Sequence, residues 1–136
     1  MKVFSAATVG GVLLVAGAAI ALAGPAGSSP QAVNIKLTEM KVLAAPRSVS
    51  AGDVTFVARN LGTVEHELVV VRSSRPLAVK GYKAAEPEGA TIGEIEDIEP
   101  GKTKRATLSL KPGKYLLICN IVGHYQLGMT STLTVR

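Results

Sequence analysis

Apolar and polar positions alternate along most of this chain, in short runs. Val33, Ile35 and Leu37 alternate with polar neighbours, as do Val54, Phe56 and Ala58, and again Ala106, Leu108 and Leu110. A period of two puts such residues on one face of a half-buried strand. Residues 66–72 form a β-branched run, and residues 115–119 are apolar throughout, as in a strand buried on both faces. Leu133 and Val135 close the pattern. Turn signals separate the runs: Ala51-Gly52-Asp53, Asn60-Leu61-Gly62, Pro100-Gly101 and Pro112-Gly113. Short strands at this spacing predict an all-β sandwich or barrel.

Residues 73–99 interrupt the pattern. They are long for a loop and mostly polar, and they end in the acidic run Glu94-Ile95-Glu96-Asp97-Ile98-Glu99. A short helix over 76–85 and an edge strand near Ile92 are expected here, with the acidic run as a solvated face.

The N-terminus belongs to another class of segment. Lys2 is followed by residues 3–23, which carry no charge and end in Ala21-Leu22-Ala23, a small-x-small cleavage pattern. Residues 1–23 therefore read as a signal peptide, with a retained membrane anchor as the alternative. Residues 24–32, rich in Gly, Pro and Ser, read as a linker, and residues 33–136 as one domain. Either reading places that domain outside the cytoplasmic membrane, in the periplasm or secreted. The chain has a single cysteine, so no internal disulfide is available to an exported domain of this size. The formal charge of +5 is scattered and few aromatics accompany it. This argues against nucleic-acid binding and for a mild preference for acidic partners.

Chemistry concentrates in two places. A strand delivers Cys119 to a loop that contains Gly123-His124 and Gly128-Met129 before the next strand begins. The only other histidine is His66, at the head of the β-branched run. Singly, each has an ordinary reading: Cys119 as a small buried hydrophobe, His66 as a structural histidine, His124 as an exposed loop residue and Met129 as core filler. Together they form a thiolate, two imidazoles and a thioether at strand ends. Copper binds that set well, whereas zinc rarely takes the thioether. Strand ends give the ion a rigid frame, which suits electron transfer because both redox states can share one geometry.

These residues resemble the cupredoxins, the blue copper family of azurin, plastocyanin and rusticyanin. The Cys-x4-His-x4-Met spacing is most similar to the rusticyanin and sulfocyanin branch. The resemblance covers residues 33–136 in outline and is specific over 60–67 and 112–129. It implies a Greek-key β-sandwich of seven or eight strands around one copper ion cycling between Cu(I) and Cu(II). It further implies Cys119, His66 and His124 as strong equatorial ligands and Met129 as a weak axial one. His124 would then be the electron port, inside a collar of Leu61, Val64, Ile121, Val122 and Leu127, where redox partners dock on a monomer. In azurin and plastocyanin an asparagine follows the first histidine ligand; here Glu67 does. Glu67 is expected to accept a hydrogen bond from the loop after Cys119, at the Asn120 amide. Gly123 and Gly128 are expected to let that loop turn, and its amides to donate to the Cys119 sulfur. The competing function is copper delivery in metal homeostasis. Such proteins display exposed Met and His clusters, whereas residues 24–136 hold only Met40 and Met129. A full four-ligand set leaves no open position for a substrate, which argues against an enzyme.

Overall fold

The computed structural model describes residues 30–136. The signal peptide or anchor of residues 1–23 and most of the linker lie outside the described residues. The remainder is all-β, with eleven strands. They are β1 (Gln31–Thr38), β2 (Lys41–Ala45), β3 (Ser48–Val49), β4 (Gly52–Asn60), β5 (His66–Arg72), β6 (Val79–Lys80), β7 (Lys83–Ala84), β8 (Thr91–Ile98), β9 (Thr103–Leu110), β10 (Gly113–Ile118) and β11 (Thr130–Val135). Three of these are two-residue bridges, which leaves eight strands of five residues or more, the upper end of the expected range.

Two sheets stack face to face. One has the order β2-β1-β4-β9 and the other β3-β11-β10-β5-β8. Pairing is mostly antiparallel, with parallel joins between β1 and β4 and between β3 and β11. The alternation in the sequence decides which side chains meet between the sheets. Val33, Ile35, Leu37, Val54, Phe56 and Ala58 from one sheet pack with Leu68, Val70, Tyr115, Leu117, Leu133 and Val135 from the other. Burying each such aliphatic or aromatic side chain contributes about 1.5–3 kcal/mol before the entropy of ordering is counted.

β5 and β10 are buried on both faces. Their outward-facing residues Val69, Val71, Leu116 and Ile118 form a second apolar cluster with Ala84 and Tyr125, flanked by Leu77 and Ala90. Part of residues 73–99 therefore covers the outer face of the second sheet. This corrects the expected helix over 76–85. The segment is a hairpin, β6 against β7, with Val79 opposite Ala84 and Lys80 opposite Lys83. Gly81 and Tyr82 both adopt left-handed backbone, with φ of 59° and 63°, the conformation of a two-residue type I′ turn. A helix cannot hold two such residues in succession, and the segment has too few apolar positions to bury a helical stripe. The edge strand near Ile92 is present as β8, paired to β5 at the border of its sheet. In the acidic run Ile95 and Ile98 point inward while Glu94, Glu96, Asp97 and Glu99 are exposed, a solvated face as expected. No described helix is long and apolar enough to cross a membrane.

Candidate metal centre

One end of the sandwich gathers the chemistry. His66 is the first residue of β5 and is fully buried. Cys119 follows the last residue of β10, and Met129 precedes the first residue of β11. Both are fully buried and belong to the main core. β10 and β11 are antiparallel neighbours, so the 119–129 loop leaves and re-enters the same end of the sheet. Its ends are joined by a hydrogen bond from the Cys119 amide to the Met129 carbonyl, 3.2 Å.

The loop closes through its own backbone. The His124 amide donates to the Ile121 carbonyl at 2.9 Å, and the Met129 amide donates to the His124 carbonyl at 3.1 Å. Gly123 and Gly128, with φ of 85° and 112°, take the left-handed positions that such tight winding requires. The winding turns the His124 ring back toward the cysteine.

The ligand atoms of His66, Cys119 and His124 all lie within 4.8 Å of one another. Cys119 Sγ is 3.4 Å from His124 Nδ1 and 3.9 Å from His66 Nδ1, and the two Nδ1 atoms are 3.3 Å apart. The same nitrogen of each ring thus faces the sulfur, and one ion placed among the three atoms can reach all of them. Burial pushes the Cys119 thiol above its ordinary pKa, and the amides of Glu67 and Ile121 pull it back. A cation held here would take the place of that proton, with Cys119 binding it as thiolate. Burial also lowers the pKa of His66, assisted by His124, so its ring is neutral and ready to ligate. A soft thiolate with two imidazoles fits copper among the biological ions, and a buried thioether at a third strand end, that of β11, is compatible with it. Met129 occupies that strand end.

The supporting contacts are more extensive than the sequence suggested. Glu67 Oε1 accepts the Asn120 amide at 2.9 Å, the bond expected for it. Burial raises the Glu67 pKa, with the Asn120 amide and Lys83 opposing. The amide donating to the cysteine sulfur in a hydrogen bond is that of Glu67, at 3.4 Å, so the donor comes from β5 rather than from the loop expected to supply it. The Asn120 side chain reaches the other way. Its Oδ1 accepts the Ala84 amide at 2.6 Å, and its Nδ2 donates to the Ala84 carbonyl at 3.2 Å and to Glu86 Oε1 at 2.6 Å. The Gly123 amide donates to the Tyr82 carbonyl at 2.7 Å, and Tyr125 Oη exchanges hydrogen bonds with the backbone of Leu77. The β6–β7 hairpin is therefore tied along the ligand loop. Sequence reasoning missed this brace because Asn120 and Ala84 bring no local signal of their pairing. Glu67→Ala is expected to lower folding stability by about 1–2 kcal/mol, through the unpaired Asn120 amide. Glu67→Gln, which keeps an acceptor oxygen, should lose less; urea unfolding of the two variants checks this.

His124 is only partly buried, and exposed apolar side chains lie near it in sequence and on the loop before His66. Of the large apolar residues left exposed among the described residues, Leu61 and Val64 lie on the loop before His66, and Val122 and Leu127 on the loop that holds His124. Ile121, expected in that collar, instead packs partly buried against the core.

No protein-family model and no curated protein matches the sequence. Solved structures do match. Auracyanin B aligns over 82% of this chain and 93% of its own, at 23% identity and a TM-score of 0.62. Auracyanin A from Chloroflexus aurantiacus, described as a "blue" copper protein, aligns over 79% of this chain and 100% of its own, at 23% identity and a TM-score of 0.59. Reduced rusticyanin aligns over 79% and 81%, at 17% identity and a TM-score of 0.59. The chain has the cupredoxin fold.

Proposed function

We propose that this chain is a type 1 copper protein that carries single electrons between redox partner proteins outside the cytoplasmic membrane. The observation that carries the reading is the convergence of Cys119 Sγ with Nδ1 of His66 and of His124 at one end of a rigid sandwich. A bound copper ion supplies the one-electron couple between Cu(II) and Cu(I). His66, Cys119 and His124 would hold it, with Met129 as a weaker fourth donor. The frame does the rest. Three of the four residues sit at or beside strand ends, and the His124 loop is braced by the hairpin, so the donor atoms are held in place whichever charge the ion has. Low reorganisation of this kind favours a carrier.

His124 is the edge through which electrons pass, because the other three ligands are fully buried. The exposed Leu61, Val64, Val122 and Leu127 give it an apolar surround suited to brief docking. Delivery of copper as cargo fits less well. The thiolate is fully enclosed, and residues 30–136 hold just two methionines, one of them at the site.

Two measurements test the proposal. Cu(II) added to the purified chain should produce an intense visible thiolate-to-copper band at one equivalent; absence of the band sinks the copper assignment. Electron self-exchange between oxidised and reduced protein should then be fast and reversible. Slow self-exchange combined with rapid loss of copper to a chelator would favour delivery instead.

A further inference from the structure

His66 presents Nδ1 to the cysteine sulfur, and its other nitrogen faces a different group. Nε2 is the one buried side-chain polar atom among the described residues that lacks a hydrogen-bond partner. Leaving such a group unpaired in a buried place is costly, so a nearby acceptor has consequences. The acceptor in reach is Glu39, on the turn between β1 and β2, with Oε1 3.6 Å from Nε2. This is about half an ångström beyond a hydrogen bond, a gap that a small ring rotation closes.

The position of Glu39 is built rather than incidental. The same Oε1 accepts the Thr63 amide at 2.6 Å and the Val64 amide at 3.1 Å, both in the loop that leads into His66. Those amides hold the Glu39 carboxyl below its ordinary pKa, so it is an anion. Gly62 makes the room. A Cβ on Gly62 would lie 2.8 Å from Glu39 Cδ and 2.8 Å from Oε2, closer than real contacts allow. The Asn60-Leu61-Gly62 turn thus leaves a seat in which one carboxylate meets both the loop amides and the far side of the histidine ring.

We propose that Glu39 is a positioning residue for the metal centre: it takes the Nε2–H of His66, fixes the tautomer that offers Nδ1 to the ion, and sets a negative charge behind that ligand. The proposal rests on the copper reading for its redox consequence, although the tautomer consequence belongs to the metal-free chain. A carboxylate behind an imidazole makes it a stronger donor and stabilises the higher charge state of the ion. Glu39 therefore raises Cu(II) affinity and lowers the reduction potential.

The test uses the purified chain with Glu39→Gln, Glu39→Ala and, as a distant charge control, Glu88→Gln. Glutamine keeps an oxygen for the Thr63 and Val64 amides and removes only the charge; alanine removes both. In the metal-free wild type, long-range proton–nitrogen NMR should show His66 protonated at Nε2 and His124 donating from Nδ1 across the 3.3 Å contact. In Glu39→Ala that tautomer preference should be lost. Cu(II) affinity should fall about 10- to 100-fold in Glu39→Ala. The potential should rise in both Glu39 variants and stay in place in Glu88→Gln. If both Glu39 variants keep the wild-type potential, affinity and tautomer while Glu39→Ala merely loses stability, Glu39 is a loop anchor and the proposal is overturned. A wild type with no thiolate-to-copper band would defeat the copper reading instead, and the metal-free spectrum would still decide whether Glu39 holds the His66 proton.

Discussion

Cys119→Ser is expected to abolish the intense visible band of the Cu(II)-loaded chain and to lower copper affinity by more than the 10- to 100-fold typical of losing an outer partner. The reason is chemical. A hydroxyl does not ionise at neutral pH as a metal-bound thiol does, and it is a harder donor than sulfur. The site would keep two imidazoles and a thioether around an ion that has lost its strongest anionic ligand. The fold should survive the change. Serine is close in size, and its hydroxyl lies within reach of the Glu67 amide and His124 Nδ1, which now sit 3.4 Å from the sulfur. Unfolding of the metal-free variant should therefore stay within about 1 kcal/mol of the wild type. Visible absorption and a copper titration with both proteins check the first claim, and urea unfolding without metal checks the second. A variant that kept the band would mean that the colour comes from a site other than Cys119.

The contrast between what the sequence revealed and what it hid follows from the range of each interaction. The period-two runs announced β1, β4, β9 and β11 because alternation is a local property set by one buried face. The continuous run before Cys119 announced a strand buried twice over, and β10 lies between the main core and the second cluster. The metal-site candidates were legible because few residue types can serve: one cysteine and two histidines leave little choice. Even the Glu67–Asn120 bond could be anticipated from position, since each residue follows a candidate ligand. Glu39 could not. It is 27 positions before His66, in a turn whose sequence, Thr38-Glu39-Met40-Lys41, reads as ordinary surface. Its role depends on how the β1–β2 turn is seated against the loop before β5, which only tertiary packing determines. The hairpin of residues 79–84 was misread for a related reason. Its two strands are two residues each, too short to show a period, and they are held by side chains and backbone of the 119–129 loop rather than by a pattern of their own.

Asn60→Ala should destabilise the chain by about 3 kcal/mol, lowering the melting temperature of the metal-free protein by roughly 10–15 °C. Asn60 ends β4 and is fully buried, yet it is polar, and every part of its amide is used. Nδ2 donates to the Val64 carbonyl at 2.7 Å and to the Ile98 carbonyl at 2.8 Å, while Oδ1 accepts the Gly62 amide at 2.8 Å. One side chain thereby fastens both ends of the 60–64 turn and joins it to the last residue of β8. Alanine would leave two carbonyls and an amide to find water in a place where little reaches. Asn60→Asp restores the acceptor for Gly62 but sets a carboxylate against two carbonyl oxygens, so it should cost at least as much. The loss should extend to the metal centre. The turn carries the Thr63 and Val64 amides that hold Glu39, and it delivers His66 to the site. Thermal melts of the metal-free variants measure the stability, and hydrogen exchange at the Gly62 and Val64 amides locates the damage. Melting within about 3 °C of the wild type would mean that Glu39 alone suffices to hold the turn, and the alanine variant should then keep its copper affinity as well.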